Sequence, residues 1–408
     1  MKRFLRLLIL LLVRLLGWPS IQRARRRALR GRTRPARILL LRPDHLGDLI
    51  LTTPVLQAMR DEAPDAELTL MVGPWSREIV ERHPALNQVL TCAFPGFQRA
   101  PQGALAPYKL LFKTARQLRR ADFDLAINLR PDFWWGAALL YLAAIPQRVG
   151  YALAPGEPFL SQALPFPPVE HATVSNLRLA SAGLLALNYQ PLAEPFTPES
   201  YPVRFTPTVE ELTWANIRLR AEGIAEDAQL IVISPGSGGA VKLWRSAAWA
   251  KCAHILCTTL TVSGQARILL TGSPAERSLV EEVARGIPEG ATIVTDASIG
   301  QLAALLACAT CLLTVDNGPG HIAAAQQTPG VYLFGPTDPR IFGPWDSSTR
   351  HTLLSSTQPC PGCPMIPCGR LDWSPEELDA HPCVRVISEE LVLAATEKLL
   401  GLGQVYKN

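Results

Sequence analysis

No aspartate or glutamate occurs among the first 37 residues, although that stretch holds twelve basic residues: Lys2, Arg3, Arg6, Arg14, Arg23, Arg25, Arg26, Arg27, Arg30, Arg32, Arg34 and Arg37. Setting those twelve aside leaves 28 basic against 35 acidic residues, so the basic arm is joined to a body of net charge −7. Long apolar runs are missing from the arm as well. Arg6 and Arg14 interrupt the apolar stretch from Phe4 to Trp18, and the longest unbroken run, Leu7 to Val13, is far shorter than the ~20 residues a bilayer span requires. No Ala-x-Ala-like site follows, and the basic cluster stands after the apolar run, the reverse of a signal peptide. Interleaved aromatics and a nucleic-acid module are absent, which argues against a nucleic-acid tail. Neither G-x-G-x-x-G nor a P-loop occurs, which argues against a dehydrogenase or an NTPase.

What the arm does have is a pattern. At 100° per residue, Lys2, Arg3, Arg6 and Arg14 fall within an arc of roughly 120°. That arrangement suits a helix lying in a membrane interface, and the following arginines add attraction to anionic lipid. The expectation is peripheral attachment to the cytoplasmic membrane's inner face through residues 1–36, against the plainer reading of a solvated arm.

At 408 residues, 48% of them hydrophobic and 18% charged, the chain is globular and long enough for two domains. Arg37 to Arg42 reads as a buried parallel strand, followed by the turn Pro43 to Asp48 and a helical run from Leu49 to Arg60. Apolar runs at Leu68–Val72 and Phe123–Asn128 alternate with helical patterns around Ser76–His83, Lys109–Arg120 and Trp134–Ala143. Residues 191–207, rich in Pro, Glu, Ser and Thr, read as a linker. Beyond it the alternation resumes: strands Leu230–Ser234, Arg267–Thr271, Thr292–Val294 and Cys311–Val315, with helices Ala247–Thr259, Pro274–Arg285 and Ile299–Ala307. The pattern predicts an α/β chain with two Rossmann-like, doubly wound parallel sheets facing a cleft, one over residues 37–190 and one over 208–408.

Ligands of such sheets bind at the carboxyl ends of the strands. The turn Asp316-Asn317-Gly318-Pro319-Gly320-His321, between an apolar strand and the small-residue helix pattern Ile322–Ala325, offers unpaired N–H groups and a helix dipole to a phosphate or pyrophosphate. Pro235 to Gly239 and Thr271 to Ser273 are expected in the same crevice. Lys242, just past the glycine-rich turn, is placed to reach a diphosphate. Glu276 is a candidate for a ribose hydroxyl, or equally a first-turn acid of its helix. Asp48 has a competing reading as a helix N-cap, Trp244 and Trp249 look like packing residues, and Thr337 and Asp338 also face the crevice.

Arg42 to Pro54, Ser234 to Gly239, Lys242-Leu243-Trp244, Asp316 to His321 and Leu333 to Pro339, in that order, closely resemble glycosyltransferase family 9, which includes the lipopolysaccharide heptosyltransferases. The resemblance runs from about Arg37 to the C-terminal helix. It implies a GT-B fold and metal-independent, inverting transfer of a sugar from a nucleoside diphosphate, with ADP-heptose the family's best-known donor, to a lipid-linked glycan acceptor. Asp48 matches the family's general base, with Asp44 and Gly47 of the same turn on the acceptor side. Ser234, Gly236, Lys242, Glu276, Asp316, Asn317, Gly318 and His321 would form the donor pocket, where an aspartate suits sugar hydroxyls better than phosphate. A non-catalytic nucleotide-sugar or membrane-surface binding protein of the same fold is the rival reading, and an epimerase is a third.

Nine cysteines in so long a chain do not make a disulfide scaffold. Cys92, Cys252, Cys257, Cys308 and Cys311 sit in apolar contexts of buried reduced thiols, in keeping with a reducing cytoplasm. Cys360, Cys363, Cys368 and Cys383 have the spacing of a structural zinc site, with His381 an alternative to Cys383. The opposing reading is a Pro-rich loop whose thiols do nothing together.

Overall fold

The computed structural model describes residues 2–97, 103, 105–260, 266–346, 349–363 and 365–401. The chain falls into two compact units, Met1–Thr197 and Pro198–Asn408, whose boundary lies within the Pro-rich stretch. Each contains a six-stranded parallel sheet.

The first unit begins with helix α1 (Lys2–Ala28), then β1 (Arg37–Arg42), α2 (Leu46–Ile50), α3 (Thr53–Glu62), β2 (Glu67–Val72), α4 (Arg77–Val80), β3 (Gln88–Thr91), α5 (Ala106–Ala121), β4 (Leu125–Asn128), α6 (Trp134–Leu142), β5 (Gln147–Tyr151), β6 (Gln162–Leu164) and α7 (Ala172–Ala186). The strand order is β3-β2-β1-β4-β5-β6. β1 is central, pairing Leu40 with Leu70 on one side and Ile127 on the other. Ile38 to Leu41 are fully buried, as a strand covered on both faces requires.

The second unit holds α8 (Val209–Ala221), β7 (Gln229–Ser234), α9 (Ser246–Leu260), β8 (Ala266–Thr271), α10 (Arg277–Arg285), β9 (Thr292–Val294), α11 (Ile299–Ala307), β10 (Cys311–Val315), α12 (Gly318–Ala325), β11 (Gly330–Phe334), α13 (Pro339–Phe342), β12 (His351–Ser355) and α14 (Glu389–Leu399). Its order, β12-β11-β10-β7-β8-β9, is the same winding read from the other edge. Both sheets therefore reverse direction beside their first strand, at β1/β4 and at β7/β10. Trp244 and Trp249 meet edge to face, centroids 4.7 Å apart, in the second core, the packing role their context suggested.

Several local expectations are corrected. The run from Leu49 to Arg60 is two helices, because the chain turns at Leu51–Thr52 and Pro54 opens α3. The Ser76–His83 pattern yields only the short α4 after a 3-10 turn at Pro74–Ser76. Cys308 is exposed at the C-cap of α11. The basic arm is not separate from the first unit: Leu10, Val13, Ile21 and Ala24 of α1 are buried in its core, and the Tyr141 hydroxyl donates to the Arg14 carbonyl at 2.8 Å. A side chain at Gly17 would collide with the Tyr141 ring, 2.4 Å from its Cε1.

Candidate active site

The polar turns singled out in the sequence lie at the two switch points, where strand order reverses and open α/β sheets receive ligands. In the first unit, Arg42 closes β1 as a buried cation, 4% exposed. Its Nη1 donates to the carbonyl of Leu129 (2.7 Å) and to Asn176 Oδ1 (3.2 Å), and its Nη2 donates to Asp48 Oδ1 (2.9 Å). Its Nε lies 2.8 Å from Asp44 Oδ2, an ion pair whose N–H is not aligned on the carboxylate. Arg130, just beyond β4, pairs with Asp44 and, at 2.7 Å, with Asp132. Trp75 Nε1 and Ser76 Oγ donate to the Asp44 carbonyl at 3.1 and 2.8 Å.

The two acids of the turn thus differ in access. Asp44 is sealed between guanidinium groups at 2% exposure; burial pushes its carboxyl up, Asp48 adds to that, and Arg42 and Arg130 pull it down. The Asp48 side chain is 30% exposed and keeps open carboxylate positions beyond its bond to Arg42. The N-cap reading of Asp48 fails, since α2 begins earlier: His45 takes the cap position and Asp48 stands in the first turn. Gly47 gives its carbonyl to the Leu51 N–H that ends α2.

In the second unit, β7 and β10 end side by side. Asn317 caps α12, its Oδ1 accepting from the Gly320 N–H (3.1 Å) and from Thr314 Oγ1 (3.0 Å). Its Nδ2 donates to Ser234 Oγ (3.1 Å) and the Gly236 carbonyl (2.7 Å). These bonds fully occupy the amide, so Asn317 and Ser234 tie the two loops together rather than reaching outward. At Gly236 the backbone comes close to Glu276: a Cβ there would lie 2.2 Å from Oε1, so any side chain would have to displace that carboxylate. Glu276 closes a capping box, accepting from the Ser273 N–H and hydroxyl, each at 2.7 Å. That realises the first-turn reading and sets its other oxygen against the glycine loop.

Lys242 and Asp316, expected to serve different parts of a ligand, are joined: Nζ lies 2.7 Å from Asp316 Oδ2, which also accepts from Thr337 Oγ1 at 2.5 Å. Lys242 keeps 17% of its side chain exposed, and an ammonium has two further protons to give. Gly318 is the first residue of α12, whose opening N–H groups face the same switch point. His321, in that first turn, is buried, with Nδ1 lacking a protein partner. Burial drives its pKa down to about 4, Asp316 opposing and Lys242 assisting, so the ring is neutral at physiological pH. Asp338 is paired with Arg340 and caps α13. The sequence reading includes Arg42 only as the start of its motif and omits Arg130; for Arg42, a cation closing a buried strand was the available signal.

The cysteine segment packs beside the donor-side loops: the Gly369 N–H donates to the Pro336 carbonyl at 2.7 Å, and Cys383 Sγ lies against Gly335. Cys360 Sγ, Cys363 Sγ and a His381 ring nitrogen all lie within 4.8 Å of one another, and Cys363 Sγ is 3.3 Å from His381 Nδ1. Cys383 adjoins Cys360, and Cys368 adjoins Cys363. Tetrahedral zinc–thiolate geometry needs sulfurs about 3.8 Å apart, so the donor set fits such an ion with little movement. His381, rather than a third thiol, completes the compact trio.

The chain is similar to known proteins in sequence and fold. The profile of Glycosyltransferase family 9 (heptosyltransferase) matches residues 111–366, more than half of the chain. Lipopolysaccharide heptosyltransferase 3 of Escherichia coli K12 is 26% identical over 359 residues, covering 87% of this chain and 95% of its own. Among solved structures, a glycosyl transferase family 9 protein from Veillonella parvula superposes with a TM-score of 0.71 at 22% identity, covering 91% of this chain and 99% of its own. E. coli heptosyltransferase WaaC, solved with ADP, gives 0.62 at 20% identity, covering 89% and 99%. The family profile matched over more than half of the chain, on two sheets of Rossmann order, identifies the chain as a GT-B glycosyltransferase belonging to glycosyltransferase family 9.

Proposed function

We propose that the protein transfers heptose from ADP-heptose to a lipopolysaccharide-core acceptor with inversion at the anomeric carbon. The observation that carries this reading is the cluster of Lys242, Asp316 and Thr337 at the β7/β10 switch point, beside the N-terminus of α12. A departing nucleoside diphosphate needs positive potential, which Lys242 and the α12 N–H groups supply. Asp316, held by Lys242 and Thr337, accepts from sugar hydroxyls, while Asn317 and Ser234 keep the loops in register. In the first unit Asp48 takes the proton from the acceptor hydroxyl. The oxygen attacks the anomeric carbon, the bond to the diphosphate oxygen breaks, and the configuration inverts. Arg42 positions Asp48, and Arg130 with Asp44 shapes the acceptor side. The names of the relatives, and the ADP held by WaaC, support the donor and acceptor classes.

In the same reading the protein works at the inner face of the cytoplasmic membrane, held by the basic stretch of residues 1–36. This attachment is peripheral, through the basic stretch; among the described residues no helix is long and apolar enough to cross a bilayer. The Cys360, Cys363 and His381 trio, with Cys383 or Cys368 as fourth ligand, holds a structural zinc ion; the transfer chemistry needs no metal of its own.

The test is calorimetric titration of the full chain against ADP, UDP, GDP and dTDP in EDTA. Preference for ADP is expected. Preference for another nucleotide overturns the heptose donor while leaving glycosyl transfer, and no binding to any of them brings the non-catalytic reading forward.

A further inference from the structure

Two helices of the first unit carry outward surfaces that the transfer chemistry does not use. α1 and α5 share one hydrophobic cluster with α6 and with Leu39 and Leu41 of β1. Alternate residues of a strand face opposite sides, so both helices cover the same face of the sheet. Their C-terminal ends meet, with Arg27 and Asp122 2.5 Å apart.

On α1 the buried residues Leu10, Val13, Gly17, Ile21 and Ala24 fall within an arc of about 80° at 100° per residue. Diametrically opposite stand Leu8, Leu11, Leu12 and Leu15, between 46% and 61% exposed, flanked by Leu16 and Trp18 at 69% and 59%. Scattered surface leucines are ordinary, but a continuous ridge of them marks an interaction surface. On α5, Leu111, Thr114, Ala115 and Leu118 face the core, while Lys109, Phe112, Lys113, Arg116 and Arg120 face out. α5 contains no acidic residue, and neither does α1.

We propose that α1 and α5 form a single docking face for an anionic lipid bilayer, the α1 ridge entering the interface and the outward side of α5 engaging headgroups. This rests on the membrane attachment of residues 1–36 given above and extends it to a second helix distant in sequence. Charge selects the occupant. A second copy of this chain seated here would bring two acid-free basic surfaces together, whereas anionic lipid supplies the missing counter-charge. Because α1 is pinned to α6 through Arg14 and Gly17, contact through both helices fixes the tilt of the first unit on the membrane, which a flexible tether would not.

The experiment is co-sedimentation of the full chain with vesicles of phosphatidylcholine, alone or with an equal part of phosphatidylglycerol. An α1 variant carries Leu11→Ser, Leu12→Ser and Leu15→Ser, and an α5 variant carries Phe112→Ser, Lys113→Ser and Arg116→Ser. ADP affinity and thermal melting check that each variant is folded. The wild type should bind only the anionic vesicles, and the α5 variant should bind them at least about 25-fold more weakly, as two surface charges alone predict. An α5 variant that binds like the wild type while the α1 variant is released overturns this inference and leaves α1 as the sole anchor. Wild type that binds no vesicle removes both readings. A loss of self-association, instead of a loss of vesicle binding, assigns the face to a second copy.

Discussion

Arg42 and Asp48 share a hydrogen bond of 2.9 Å across the first turn after β1, and the same guanidinium also neutralises the buried Asp44. One side chain therefore sets the direction of the proposed base and seals the acid beside it. Asp48→Asn should keep that hydrogen bond but cannot take a proton. Turnover is expected to fall by about 10²–10⁴-fold with ADP affinity unchanged, read from initial rates and calorimetry; wild-type turnover would remove Asp48 from the mechanism.

Arg42→Met takes from the buried Asp44 one of its two guanidinium partners and leaves it Arg130. Loss of the sole partner of a buried ion pair costs about 3–5 kcal/mol, so chemical denaturation should register a drop of at most that size. The double variant Arg42→Met/Asp44→Leu should recover part of it, and strict additivity of the two single changes would show that the pair is not coupled.

Lys242→Met removes the cation from the donor site and leaves Asp316 with Thr337 alone. Charge-assisted hydrogen bonds are worth about 1.5–3 kcal/mol, so the Kd for ADP should rise roughly 10- to 100-fold. Undiminished affinity would mean that the lysine serves only Asp316.

His321 has its pKa lowered to about 4 by burial. Above pH 6.5 the ring is neutral whether the chain is folded or not. Between 6.5 and 4 only the unfolded chain takes up the proton, so stability falls as pH drops through that window, by roughly 3 kcal/mol at most. His321→Gln should flatten the slope of stability against pH between 6.5 and 4, leaving the smaller contribution of His351, also lowered by burial.

Protein purified without chelator should carry about one equivalent of zinc per chain, measured by elemental analysis, and Cys363→Ser should lose most of it together with thermal stability. Less than about a tenth of an equivalent would end the zinc reading.

Much of this architecture was legible because its signals are local. Ile38 to Leu41 and Leu312 to Val315 read as buried parallel strands without reference to anything else, and the turns after them carry polar residues that a core would not tolerate. β3, β6 and β12 escaped notice because Gln88–Thr91, Gln162–Leu164 and His351–Ser355 are short, partly exposed edge strands, and β5 escaped because Gln147, Arg148 and Gly150 break the apolar run of a buried strand. The chemistry around the turns was less legible for another reason. Asp48 and Asp316 stand out as residues, but the partners that orient them, Arg42 across the turn and Lys242 and Thr337 from other loops, are brought there by the sheet. The outward leucines of α1 and its inward ones look alike in sequence, and only the position of α6 separates them.

The docking of α1 on α6 has a consequence in time. Tyr141 and Arg14 lie 127 residues apart, so α1 leaves the ribosome well before its seat on α6 exists. At ordinary synthesis rates the interval is roughly ten seconds, during which both apolar sides of the helix are uncovered and every charge on it is positive. The nascent chain is thus at its stickiest toward lipid and chaperones before it has a fold, and loses half of that stickiness when residues 134–142 emerge and pair with it.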